Sequence, residues 1–337
     1  MSGIKRFSND HPLFFVLICI VLFMLTFYGS HVILAEVGCY DGVAHECFVA
    51  IFFAALAAAV VGPIRFSREG VEYTLRKSMY FILLTGGLLA FCMYILLVTG
   101  TFPVEKGWFF RVLYFGIYLL AVGVFEEFLN RVLITGALVR KFGNTSKGFM
   151  CAVTAASFFF GLMHVFPDIV TGNIKDLSTI LQALFKTADV TIVGLLMTAL
   201  YYRTHNIWGC VLAHVLADLA GFMYIALTDL PMINSYIRTD DNPGGNSMSL
   251  VIYPFILFLF YLPILRTALR ELSMVKTPEY GPFVGGWEPR DPLSNLEYEA
   301  EEMPVIFESE SELVMISKDS EQEELSEKIL PLWLTNY

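Results

Sequence analysis

The chain has 337 residues, 56% of them hydrophobic and only 16% charged, against about a quarter charged in an ordinary soluble domain. This balance argues against a soluble globular protein and for a polytopic membrane protein, whose length is counted in spans. The net charge of −10 belongs to one segment: residues 297–328 hold twelve acids and two lysines, leaving 20 basic against 20 acidic residues elsewhere, with no basic footprint for nucleic acid.

A membrane helix needs about 20 largely apolar residues, and about eight segments satisfy this. In chain order they lie near 12–35, 47–64, 79–101, 108–138, 149–166, 187–203, 207–228 and 248–266. The first follows Lys5 and Arg6 and is too long for a signal-peptide core, so it reads as an uncleaved span. Between the fifth and sixth, Ile174, Leu177, Ile180, Leu181 and Leu184 recur at helical spacing with polar residues opposite, which predicts an interfacial helix. Asp189 then opens the sixth span as a cap. The six cysteines show no zinc-knuckle or CxxC spacing and read as small hydrophobes. Cys39 and Cys47 are near enough to pair if their loop faces an oxidising side.

Lys and Arg alternate between connections. One set holds Lys5/Arg6, Arg65/Arg68/Arg76/Lys77, Arg140/Lys141/Lys147, Arg203 and Arg266/Arg270/Lys276; the other set is poorer in basic residues. The positive-inside rule then puts both termini in the cytoplasm, with the plasma membrane as the expected location. The expected fold is all-α and polytopic. Residues 1–275 form the membrane domain, with its motif core at 108–228, and 276–337 form an acidic cytoplasmic tail, rich in Pro and Gly at its start, that is flexible.

Several ionisable residues fall inside these spans: Glu126, Glu127 and Arg131 in "EEFLNR", His164 in "FGLMH", His214 and Asp218 in "HVLAD". Each costs roughly 2.5–3.5 kcal/mol at bilayer depth on insertion scales, so they must pair, lose charge or face an aqueous cavity. Glu127 and Arg131 are four apart and share a helix face. Glu126 lies about 100° around the helix, the carboxylate left over. His214 and Asp218 are also four apart, so the carboxylate can orient the imidazole. Three helices thus offer the groups that activate water and move its proton, or that hold a metal. Taken singly, each has a bland reading: a membrane His as a helix–helix hydrogen bond, a Glu–Arg pair as a clamp. His11, His31, His45 and His205 lie at ends or loops and receive no role. Helix arithmetic puts Glu126 and His164 about 21 and 24 Å from the cytoplasmic ends of their helices, but His214 only about 12 Å.

The ordered trio EExxxR, FxxxH and HxxxD resembles the signature of the CPBP family, the CAAX-protease and bacteriocin-processing (Abi) group of intramembrane proteases. The resemblance covers roughly residues 108–228. It implies an endopeptidase in which Glu126, with His164, activates water, Glu127 and Arg131 brace the site, and His214 and Asp218 stabilise the oxyanion. The eukaryotic prenyl-protein proteases carry an amide at the last position, where this chain has Asp218, which as a carboxylate cannot donate. The HExxH spacing is absent. No cofactor is required, although the ligand types admit a zinc ion held by Glu126, His164 and His214. Implied partners are membrane lipid and a substrate: a prenylated peptide, a peptide precursor or a membrane protein. The alternatives are a non-catalytic bacteriocin-immunity or scaffold protein of the same fold, and a proton-coupled transporter.

Overall fold

The computed structural model describes residues 3–38, 41–64, 66–101, 104–228, 237 and 247–275. The acidic tail expected at 276–337 lies outside them. The described residues contain no strand. A short α1 (Gly3–Asp10) is followed by α2 (Pro12–Glu36), α3 (Gly42–Val61), α4 (Arg68–Val98), α5 (Trp108–Phe142), α6 (Ser146–Val170), α7 (Leu177–Thr204) and α8 (Ile207–Leu227). A last helix, α9 (Ser247–Ser273), contains Pro254 and Pro263. The seven helices α2–α8 are long and apolar enough to cross a membrane, and α9 covers the eighth expected segment. The chain is an all-α, multi-pass integral membrane protein.

Most helix starts have a visible chemical cause. Asp41 accepts from the Ala44 N–H at 2.8 Å, Ser67 from Gly70 at 3.1 Å, and Thr145 from Gly148 at 3.0 Å. These side-chain oxygens satisfy first-turn donors that have no partner within the helix. The faces turned outward are apolar, with Phe14 and Leu17 on α2 and Phe110, Leu113 and Leu120 on α5 all exposed, as lipid-facing positions are. The largest core cluster joins α2–α9, including Phe53, Phe81, Phe125, Phe128, Leu196 and Ala268.

The expected interfacial helix is a correction. Residues 177–190 are the first half of the 28-residue α7, which begins at a capping box between Asp176 and Thr179. No breaker follows, and the polar residues of that stretch face inward: Gln182, Thr187 and Asp189 are buried. Asp189 therefore caps nothing; Asp176 does. Arg203 is a second correction. It belongs to the last turn of α7, is fully buried, and its Nε donates to Glu271 Oε2 at 3.3 Å. Glu271 also accepts from Tyr73 at 2.8 Å and meets Lys77 Nζ at 3.1 Å. This network fastens α9 to α4 and α7, so Arg203 is a structural charge and leaves the tally of loop cations. His45, expected in a loop, is buried in the first turn of α3, 2.8 Å from Ser30 Oγ. Cys47 is a free thiol; Cys39 lies outside the described residues.

Candidate active site

Two glycines let the helices carrying the polar residues approach closely. A Cβ on Gly123 of α5 would stand 2.7 Å from Val215 Cγ2 of α8, which brings the His214 turn against the Glu126 turn. A Cβ on Gly161 of α6 would meet the Thr187 carbonyl oxygen of α7 at 2.5 Å, one turn from His164. Side chains at either point would force the helices apart.

Within α5, the segment Phe128–Thr135 is a π-helix, starting directly after the paired glutamates. Such wide turns recur at functional sites, and here side chains cover the altered backbone bonding. Asn130 Nδ2 donates to the Glu126 carbonyl at 2.8 Å, and the Thr135 hydroxyl to the Asn130 carbonyl at 2.5 Å. All eight residues of the segment are buried.

Glu127 and Arg131 are both 0% exposed. Arg131 donates twice, Nε to Oε2 at 3.1 Å and Nη2 to Oε1 at 3.2 Å, a fork-to-fork pair. The Phe160 ring of α6 covers the guanidinium, 4.5 Å from centroid to Cζ, so the signature phenylalanine contacts the signature arginine. The same ring stands edge-on to His164 at 4.8 Å and to His214 at 6.4 Å. Glu127 Oε1 also lies 3.0 Å from His214 Nδ1.

The partners decide which ring nitrogens carry protons. Glu127, ionised beside Arg131, can only accept, so His214 Nδ1 is the donor. His164 Nδ1 is 2.9 Å from the Phe160 carbonyl oxygen, also an acceptor, so it too is protonated at Nδ1. Both rings consequently turn Nε2 toward Glu126. Its Oε2 is 3.8 Å from His164 Nε2 and 3.7 Å from His214 Nε2, and makes no hydrogen bond among the described residues. Asp218 Oδ2 is 3.4 Å from His214 Nε2. All six residues singled out in the sequence thus meet in one place.

The sequence reading missed Lys186. It sat in the stretch taken for an interfacial helix, yet it directly precedes Thr187, whose carbonyl oxygen is the close contact of Gly161. A lysine three residues before a buried aspartate in an apolar helix was the available signal. The Tyr28 ring is 6.0 Å from that of Phe166.

Among the described residues, no group of three or more His, Cys, Asp and Glu side chains has the arrangement of a metal site. The separations of 3.7 and 3.8 Å at Glu126 exceed the ~3.4 Å edge of a tetrahedral zinc shell.

A family model for the type II CAAX prenyl endopeptidase Rce1-like proteins matches residues 107–220, the stretch that holds all six residues. The CAAX prenyl protease 2 of Saccharomyces cerevisiae is 26% identical over 233 residues, covering 66% of this chain and 71% of the yeast protein. Both matches support a likeness to the CPBP/CAAX protease family. Both matches are to proteases of the CAAX prenyl endopeptidase type. No solved structure matches it.

Proposed function

We propose that the chain hydrolyses a peptide bond with a water molecule activated by Glu126 and His164. The observation that carries this is the unpartnered Glu126 Oε2 facing two imidazole Nε2 atoms. A carboxylate oxygen and a lone-pair nitrogen 3.8 Å apart are both acceptors. A water between them donates one hydrogen to each, which points its own lone pair at a carbonyl carbon. Glu126 takes the proton as the oxygen attacks and returns it to the leaving amine. Glu127, fixed by Arg131, holds the His214 ring through Nδ1, so that Nε2 faces the reacting groups. Asp218 Oδ2 lies 3.4 Å from that same Nε2 and accepts from it when the ring carries a proton on both nitrogens.

The substrate we propose is a prenylated peptide ending in a CAAX sequence, a reading supported by the likeness to the yeast CAAX prenyl protease 2. Its lipid fits a site enclosed by membrane helices. The alternation of basic residues favours both termini on the cytoplasmic side.

Cleavage of a farnesylated CAAX reporter peptide tests the reading. Wild type releases the C-terminal fragment, and Glu126→Ala, His164→Ala and His214→Ala each reduce the rate by roughly 10²–10⁴. In this reading no metal takes part, so a chelator leaves the wild-type rate unchanged. Full activity in Glu126→Ala would overturn the assignment of the base, and metal-restorable loss on chelation would overturn the bare-water step.

A further inference from the structure

Two other helices widen as α5 does. Met24–Gly29 of α2 and Leu83–Gly87 of α4 are also π-helical, so with Phe128–Thr135 the described residues hold three such segments. At the third residue of each, a side chain donates to the carbonyl four residues back. Thr26 Oγ1 donates to Leu22 at 2.7 Å, Thr85 Oγ1 to Phe81 at 2.8 Å, and Asn130 Nδ2 to Glu126 at 2.8 Å. The acceptor is each time the residue two before the wide turn begins. There the backbone ladder passes from a four-residue to a five-residue step, and a short polar side chain gives the carbonyl at the junction a donor of its own.

Only in α5 does this bond hold a residue of the site. Leu22 and Phe81 are apolar, whereas the third acceptor is the residue whose carboxylate faces the two imidazoles. Asn130 is 0% exposed. The end of its amide beside a carbonyl oxygen is the N–H end, and Oδ1 makes no hydrogen bond among the described residues. The side chain's polar contact is therefore with Glu126. The Thr135 hydroxyl donates to the carbonyl of Asn130 at 2.5 Å, so the wide turn is tied at both ends through residue 130. Glu126 Oε2 has no hydrogen bond among the described residues, which leaves the backbone beneath it to fix where it stands.

We propose that Asn130 is a positioning residue for the base: by closing the junction between the α-helical and π-helical parts of α5, its amide sets the Glu126 carboxylate against His164 and His214. Asn130 itself touches no reacting atom. The inference rests on the peptidase reading above and deepens it.

The test uses the full chain in detergent with the farnesylated CAAX peptide. It compares Asn130→Thr with Asn130→Val, which differ by a hydroxyl in place of a methyl. A threonine hydroxyl reaches the carbonyl four residues back at the other two wide turns. Asn130→Thr is therefore expected to keep at least about a third of wild-type kcat. Asn130→Val cannot donate, and its kcat per folded molecule is expected to fall roughly 10–10²-fold, the size of effect that a small misplacement produces, with KM changed less than about threefold. Asn130→Ser against Asn130→Ala makes the same comparison if Asn130→Val does not fold. Thr26→Val carries the same lesion at a turn whose acceptor is Leu22; it lowers the melting temperature and leaves kcat per folded molecule near wild type. A merely structural amide would lower the melting temperature in the variants without a donor and leave their kcat per folded molecule unchanged. Equal kcat in the variants with and without a donor, or an equal loss of kcat in Thr26→Val, overturns the proposal. If instead Glu126→Gln cleaves as fast as wild type, the peptidase reading itself fails, a result separable from the Asn130 comparison.

Discussion

His214 Nδ1 stands 3.0 Å from Glu127 Oε1, joining an imidazole on α8 to a carboxylate on α5 that already holds Arg131 through both oxygens. Glu127 is thereby fully used: two donors from the arginine and one from the histidine. The adjacent Glu126 has an oxygen with no such commitment. Two neighbouring glutamates of identical chemistry are divided into a brace and a reactive group by what their helix faces meet.

This division predicts opposite signatures for two conservative variants. Glu126→Gln keeps shape and removes the base, so activity falls about 10²–10⁴-fold while the melting temperature stays close to wild type. Glu127→Gln leaves Arg131 buried without its counter-charge, which costs on the order of 3–5 kcal/mol, and it also frees the His214 ring. Detergent melting curves alongside peptide cleavage distinguish the two; equal stability loss in both would contradict the division.

The Gly161 contact predicts a packing lesion with a catalytic consequence. Gly161→Ala puts a methyl where the Thr187 carbonyl oxygen lies, 2.5 Å away, and overpacking of this kind costs about 1–3 kcal/mol. The separation of α6 from α7 displaces His164, one turn away, so kcat falls further than the stability change alone accounts for. Cleavage per folded molecule, measured below the melting transition, checks this.

The buried Arg203–Glu271–Tyr73–Lys77 network predicts a stability effect remote from catalysis. Glu271→Ala leaves Arg203, 0% exposed, without its carboxylate, at a cost of about 3–5 kcal/mol. Cleavage by the remaining folded protein stays near wild type, because none of the four touches the site. Thermal unfolding at matched detergent concentration is the measurement.

His205 ends α7 in the left-handed region, at φ 50°, and burial pushes its imidazole down to about 4. The folded value is below the unfolded ~6.5, so the unfolded chain binds more protons between them. Its contribution is therefore complete above pH 6.5 and is lost as pH falls toward 4. His205→Asn keeps a residue that tolerates this backbone conformation and removes the titration. Stability of the variant should fall less steeply than wild type between pH 6.5 and 4, measured as melting temperature against pH.

The polytopic fold was legible because lipid exposure writes long apolar runs into a sequence, and each of α2–α8 overlaps an expected segment, though α4 and α7 begin at 68 and 177 rather than 79 and 187. The site was legible because charge inside such runs is costly, so Glu126, Glu127, Arg131, His164, His214 and Asp218 stood out without any knowledge of their contacts. Lys186 did not, since the stretch before residue 187 read as amphipathic and its polar face was assigned to solvent, and Asp189 was read only as a cap. That face is covered by the rest of the protein, a distinction periodicity does not make. Arg203 was misread for a related reason: a cation at a helix end looks the same whether it meets water or Glu271. Helix arithmetic left His214 about a dozen Å from the level of the others, and the Gly123–Val215 approach with the π-helical turn after Glu127 closes the site. Neither the glycine contact nor the π-turn has a signal in the spacing of the motifs.

The central claim is that Glu126 is the base of a water-activating site, and the most direct measurement is single-turnover cleavage of a farnesylated CAAX peptide by wild type and Glu126→Gln of equal folded concentration. The account predicts release of the C-terminal fragment by wild type and a rate at least about a hundredfold lower for the variant, with peptide binding retained. Equal rates from the two proteins would contradict it.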